Sequence, residues 1–273
     1  MNSLSRRNFI RASVLAGTMA IPTVALASEA SDNPSSEYDF SFLEDMTINQ
    51  LRELQKEIDA LLGGNSASEG PSVELSEEIF GISQQAYNNL TEAFNLVSTY
   101  GSDIYNAWYE GIYNSEDLSV SYLANNTSLS ASDIRDGMAS SALGGPEAYK
   151  QASDEERAEA RVGADDLLKL AGAIDDGYSI VVFGIVDAYK VNGTSDKVSS
   201  LLSDAKEALR TISDEYSDYE HYPALKDYYS AVNAYFDFCE NPTGSFQQLT
   251  DTINSYENEA REYQNDLDFV FGE

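Results

Sequence analysis

The sequence predicts an all-α protein: an up-down multi-helix bundle of long amphipathic helices, with no β-sheet. Three observations predict it. From Leu75 onward apolar residues recur at three- and four-residue spacing, the period of a single helix face. The breaks in that pattern carry helix-stop and helix-start chemistry, such as Gly144-Gly145-Pro146, Asn192-Gly193, and Ser245 followed by Gln248 three positions on. No stretch alternates apolar and polar residues as a half-buried strand requires.

Near its start the chain carries Ser5-Arg6-Arg7-Asn8-Phe9-Ile10-Arg11, followed by an uncharged stretch from Ala12 to Val24 and by Ala25-Leu26-Ala27. The arginine pair and its flanks resemble the twin-arginine export signal, whose pattern is Ser/Thr-Arg-Arg-x-Phe-Leu-Lys. Ile10 and Arg11 stand here for Leu and Lys. The resemblance covers the signal alone, residues 1–27. It implies an encounter of Arg6 and Arg7 with the export machinery, passage in a folded state, and an exported or cell-surface protein. The small-x-small end places cleavage after Ala27. The apolar stretch is short for a membrane span and Pro22 interrupts it. No second segment is apolar enough to span a bilayer, so no membrane span is expected after cleavage.

Residues 28–46 are rich in Ser, Asp, Glu, Asn and Pro and read as a disordered lead. Thr47 and Gln50 form a capping pair, and Ile48, Leu51, Leu54, Ile58 and Leu61 form an apolar stripe. A short amphipathic helix is therefore expected over 47–63 and a linker over 64–73. The main bundle then occupies 74–273.

Within it, the stripe Leu75, Ile79, Ile82, Ala86, Leu90, Ala93, Val97, Tyr100, Ile104, Ala107 predicts one long helix ending near Tyr113. A turn at 114–117 leads to weaker segments at Leu118–Leu123 and Ala131–Leu143, the second capped by Ser130 with Asp133. The box Ser153 to Glu156 starts a helix expected to run unbroken through Ala160, Leu167, Tyr178 and Ala188 to Asn192-Gly193. Its segment Ile180–Val186 is apolar on all sides and reads as the most buried helix of the bundle. Further helices are expected over Ser195–Tyr216 (Val198, Leu201, Ala205, Ala208, Ile212, Tyr216), from Pro223 through Phe238, and from Ser245 along Phe246, Leu249, Ile253, Tyr256, Ala260, Tyr263, Leu267 and Val270.

Composition excludes several functions. Lys and Arg number 16 against 47 Asp and Glu; without the three arginines of residues 1–27 the balance is 13 − 47 = −34. Such a surface repels phosphates, so no nucleic-acid partner and no anionic membrane is expected. Cys239 and His221 are the only cysteine and histidine. An internal disulfide is impossible, and the usual ligand sets of zinc, haem and iron–sulfur sites cannot be assembled. No cofactor and no metal are expected. The chain lacks Gly-x-Ser-x-Gly, His-Glu-x-x-His, a Walker loop and a dinucleotide fingerprint, so no catalytic residue is assigned.

Two constellations stand out. Gly163, Gly177 and Gly184 fall at multiples of seven along the expected 153–191 helix. Each interior glycine costs about 1 kcal/mol relative to alanine, so a compensating role is expected: close approach of a neighbouring helix, or the floor of a groove that admits a ligand. Tyr105, Trp108, Tyr109, Ile112 and Tyr113 crowd the end of the long helix, with Tyr122 beyond. They read either as an aromatic plug of the core or as a surface for a sugar, an aromatic ligand or a protein. Tyr105, Trp108, Tyr109 and Tyr113 are the candidate ligand-binding residues. Asp214 with Asp218 read as a solvated helix end, His221 before Tyr222-Pro223 as a loop histidine, and Cys239 as a small buried apolar residue. The expected function is a non-catalytic binding or interaction module for an unknown protein or small molecule. The alternatives are an extracytoplasmic enzyme that uses carboxylates and tyrosines without a known motif, and a self-assembling structural or adhesion protein.

Overall fold

The computed structural model describes residues 73–216 and 218–272. The arginine pair Arg6 and Arg7, cleavage after Ala27, the 28–46 lead and the expected 47–63 helix lie outside these described residues.

The described residues fold into an all-α bundle and contain no strand. Helix α1, Val73–Tyr113, is its spine, about 60 Å long at 1.5 Å per residue. From Ile79 on, most of its predicted stripe is buried: Ala86, Leu90, Ala93, Val97, Tyr100, Ile104 and Ala107 are all fully covered. Three long helices line this spine. Helix α8 (Thr194–Glu215) runs back along its first half, and the Lys197 ammonium pairs with Glu92 at 2.6 Å. Helix α9 (Tyr222–Glu240) runs with α1, and α10 (Phe246–Phe271) runs against it. Phe246 lies beside Tyr105, and Phe271 beside Phe80 and Tyr87 at the opposite end. Local chemistry sets these ends. Pro223 sits in the first turn of α9, where no N–H is needed. Ser245 and Gln248 close a reciprocal cap on α10.

In α8 the buried row is Val198, Leu202, Ala205, Leu209 and Ile212. It uses Leu202 and Leu209 where the sequence pattern pointed to their neighbours Leu201 and Ala208, which are half-buried.

Between α1 and α8 the chain makes an excursion of short helices: α2 (Val120–Asn126), α3 (Ala131–Leu143), α4 (Pro146–Gln151), α5 (Asp154–Val162), α6 (Ala164–Gly172) and α7 (Tyr178–Val191). A 3₁₀ turn at Ser115–Asp117 leads into it. Here the expected single helix of 153–191 is corrected: it is three helices, parted at Gly163 and over Ala173–Gly177. The periodicity concealed the breaks because Gly163, Ala173 and Gly177 all keep near-helical torsions (φ −76, −94 and −66°). Hydrogen bonds across the second break tighten to i→i+3, as from the Gly177 N–H to the Ile174 carbonyl. The phase of the apolar stripe survives while the helix axis is redirected. Helix α7 is the apolar helix expected, with Val181, Val182, Ile185, Val186 and Ala188 buried and Phe183 facing outward.

The three glycines of the heptad pattern therefore do not share one helix. Gly184, inside α7, meets α3: a Cβ there would lie 1.8 Å from Met138 Cε, and one on facing Gly137 would lie 2.1 Å from the Gly184 carbonyl oxygen. Gly177 packs on the end of α6, with Ala171 O 1.7 Å from its would-be Cβ. Gly163 is different. Its would-be Cβ meets nothing closer than Ala160 O at 3.5 Å.

Candidate functional site

Tyr105, Tyr109 and Tyr113 stand on successive turns of α1, since residues four apart share a face. Their rings form a ladder, with centroids 6.3 Å apart for Tyr105–Tyr109 and 4.8 Å for Tyr109–Tyr113. Phe246 closes it from the first residue of α10, at 5.4, 6.2 and 6.0 Å from the three tyrosines in turn. The Ser245 cap positions this ring: its hydroxyl accepts the Gln248 N–H, and Gln248 Oε1 accepts the Ser245 N–H at 2.9 Å. Tyr109 is 40% exposed and Tyr113 61%, while Tyr105 and Phe246 are half-buried beneath them. The result is an aromatic ledge spanning two helical turns, about 12 Å.

Trp108 is the exception among the candidate residues. It is only 5% exposed and stacks on Tyr178 of α7, with centroids 5.1 Å apart and planes 22° apart. Trp108 is therefore core, and the expectation that it lines a binding surface is corrected. The same face of α1 is tight: a Cβ on Gly111 would come within 2.9 Å of Tyr178 Cα. So the aromatic cluster divides, with Trp108 plugging the core and Tyr109 and Tyr113 open to solvent. Phe246 belongs to the ledge although its place in the α10 stripe reads as core. Only the packing of α10 against α1 shows its second role.

Beside the ledge, the Tyr122 hydroxyl donates to Glu110 Oε2 at 2.8 Å, and the Asn114 side-chain amide donates to the same oxygen. The bond to Glu110 holds the Tyr122 phenol above its ordinary pKa. Glu110 is buried, with both donors in place.

A second apolar surface lies on the excursion. A shallow groove of about 370 Å³ opens between α3, α5 and α6, lined by Ala142, Ala160, Gly163, Asp166, Leu167 and Leu170. Large exposed apolar side chains fall mainly in two stretches of the chain. Among the described residues they are Tyr109, Ile112, Tyr113, Val162, Leu170, Ile174, Phe183 and Phe269. All but Phe269 come from the last turns of α1 or from the stretch α5 through α7.

The buried polar groups have structural duties. Asp103, 3% exposed, accepts the Ser128 N–H and hydroxyl and the Tyr189 hydroxyl (2.8 Å). This ties the α2–α3 turn to α1 and α7. Burial raises the Asp103 pKa, against the lowering by these donors. Asp187 accepts both Ser140 and Ser141 hydroxyls, at 3.1 and 2.8 Å, and so pins α3 to α7. Glu240 ends α9 by accepting from Ser195 at 2.7 Å and pairing with Lys190 at 3.1 Å. Each carboxylate is occupied by the chain's own donors.

His221 lies at the other end of the bundle from the ledge, edge-on to Phe271 and Tyr219. Burial lowers its pKa, and Glu220 at 3.4 Å partly opposes that. Its described neighbours are thus Glu220 and two aromatic rings, not a serine or cysteine nucleophile. Asp214 pairs with Arg210 at 3.7 Å. Cys239 is fully buried, and burial pushes its thiol well above the ordinary range. Among the described residues no three His, Cys, Asp or Glu side chains gather so as to hold a metal ion. Nor is any helix among them long and apolar enough to cross a membrane.

Compared with known protein families, curated proteins and solved structures, the chain matches none.

Proposed function

We propose that the chain is a non-catalytic interaction module that acts outside the cytoplasm and engages a protein partner through the ledge of Tyr105, Tyr109, Tyr113 and Phe246. The exposed pair Tyr109 and Tyr113, backed by half-buried rings, carries this reading. Tyrosine supplies a large, rigid contact area with a polar rim and is enriched at binding hot spots. Packing on Phe246 pre-organises the rings, so little side-chain entropy remains to be lost on contact. The strongly acidic balance of the chain, 16 bases against 47 acids, speaks against phosphate-bearing partners. The Arg6-Arg7 segment supports placement beyond the cytoplasmic membrane.

The test is binding of the fluorescently labelled chain, residues 28–273, to the surface of producing cells that lack their own copy. Binding is expected to saturate. It should weaken by about tenfold or more in a Tyr109→Ser/Tyr113→Ser variant, as loss of two interface aromatics predicts. Equal binding by the variant, with its fold intact by circular dichroism, would remove the ledge from the mechanism.

A further inference from the structure

We propose that the groove between α3, α5 and α6 receives an amphipathic helix from a cationic protein partner, with leucine-type anchors on its inner face and lysine or arginine beside them. The groove is distinct from the tyrosine ledge. Its lining is mostly aliphatic: Ala142, Ala160, Leu167 and Leu170, with Gly163 as a bare stretch of backbone at the α5–α6 junction and Asp166 as its one charged residue. Leu170 is 54% exposed, and Val162 and Ile174 nearby in sequence are 82% and 47% exposed. Helix α6 is thus apolar on two sides. Leu168 and Ala171 face the core, while Leu167 and Leu170 face the groove.

The open space over Gly163 is a property of the site and not of the turn. The torsions there (φ −76°, ψ −5°) suit any residue, and a Cβ would make only ordinary contact with Ala160 O at 3.5 Å. A volume of about 370 Å³ lies at the lower end of the roughly 300–1,000 Å³ found for ligand sites. Those sites bury most of their ligand, and this groove is open along one side. It therefore suits the anchor side chains of a larger body, in the manner of a helix laid in a groove.

Charge selects the partner. From Asp154 to Asp176 the chain carries eight acids against three bases. Each base is already matched: Arg157 pairs with Asp154, Arg161 with Asp136, and Lys169 with Asp166 at 3.4 Å. Glu156 caps α5, and Asp165 accepts the Val120 N–H at 2.8 Å. Glu155, Glu159, Asp175 and Asp176 remain as negative charge on the exposed surface of this stretch. A second copy of the chain would bring the same acidic stretch against itself, whereas a cationic helix complements it.

The test uses a fluorescein-labelled Leu/Lys amphipathic peptide of about 18 residues, long enough to turn helical on contact. A Leu/Glu peptide of the same apolar pattern is its control. Affinity is read by anisotropy at about 0.1 M salt, where remote charges are screened. The Leu/Lys peptide should bind, and the Leu/Glu peptide should not. Gly163→Trp fills the groove and Leu170→Gln strips its wall, both without changing charge. Each should weaken binding by about tenfold or more. Unchanged affinity in both variants, or equal binding of the Leu/Glu peptide, overturns the proposal. So does a dimer of the parent chain by light scattering that Gly163→Trp dissociates, since a second copy would then be the occupant. If Gly163→Trp fails to fold, Leu170→Gln decides alone. The Tyr109→Ser/Tyr113→Ser variant should bind the peptide as the parent does, which separates a failure of the groove from a failure of the ledge.

Discussion

Replacing Gly137 by alanine probes the close backbone contact between α3 and α7. Gly137 lies inside α3 against α7. A Cβ there would sit 2.1 Å from the Gly184 carbonyl oxygen and 2.7 Å from both the amide nitrogen and the Cβ of Ala188. Carbon and oxygen approach no closer than about 3.3 Å, so α3 and α7 would have to part by roughly 1.2 Å. The obstruction is backbone and cannot rotate away. Parting the helices also loosens Asp187 from Ser140 and Ser141. Overpacking of this kind costs about 1–3 kcal/mol, and a gap near 1 Å forfeits a quarter to a half of the dispersion attraction across it. Alanine's better helix propensity returns about 1 kcal/mol. The expected net loss is about 1 kcal/mol, or a fall in melting temperature of about 2–4 °C for a domain of this size. Thermal unfolding followed by circular dichroism at 222 nm measures it. Gly163→Ala is the contrast. With φ at −76° and open space beyond, it should stabilise by about 0.4–1 kcal/mol through the unfolded chain. A Gly137→Ala variant that melts at or above the parent would refute the close α3–α7 approach.

The aromatic cluster should divide in the same assay. Trp108→Ala removes a buried ring stacked on Tyr178 and should cost about 3–5 kcal/mol, whereas Tyr113→Ser, at 61% exposure, should stay within about 0.5 kcal/mol of the parent. His221 should make stability depend on pH. Its folded pKa is lowered by burial, so the unfolded state binds the proton more tightly. Its contribution is complete above the unfolded value of about 6.5 and is lost as pH falls below it. Urea midpoints between pH 7.5 and 5.5 should therefore fall more steeply for the parent than for His221→Asn, and parallel curves would contradict the burial. Asp103 and Asp187 carry shifts of the opposite sign, raised by burial. Since both proteins share them, the difference between the curves isolates the histidine.

The helices were legible wherever a long stripe met a local stop. The end of α1 at Tyr113, the start of α3 at Ala131 and the caps of α5 and α10 all follow from residues within a turn of the boundary. The breaks at Gly163 and Gly177 were not legible. A junction that keeps near-helical torsions leaves the apolar period intact, and the period is what the sequence displays. Helix α4 is hidden in the sequence because Gly144-Gly145-Pro146 reads as a terminator, although Pro146 in a first turn equally starts a helix. For the ledge, the spacing of Tyr105, Tyr109 and Tyr113 shows that they share a face. Whether that face or the Trp108 face turns inward depends on where α7 docks, which is a tertiary fact. The groove had one trace in the sequence, Gly163, and there the space over the glycine was the informative alternative. At Gly184 and Gly177 it was close packing.

The most direct test of an interaction surface at the ledge is site-specific photocrosslinking in producing cells. A photoreactive phenylalanine analogue is placed at Tyr113, at Tyr109, or at the exposed control position Asp204 on α8. One discrete heterologous adduct that forms from positions 109 and 113 and is absent from 204 is the predicted result. Identical adducts from all three positions, or adducts only between copies of this chain, would contradict it.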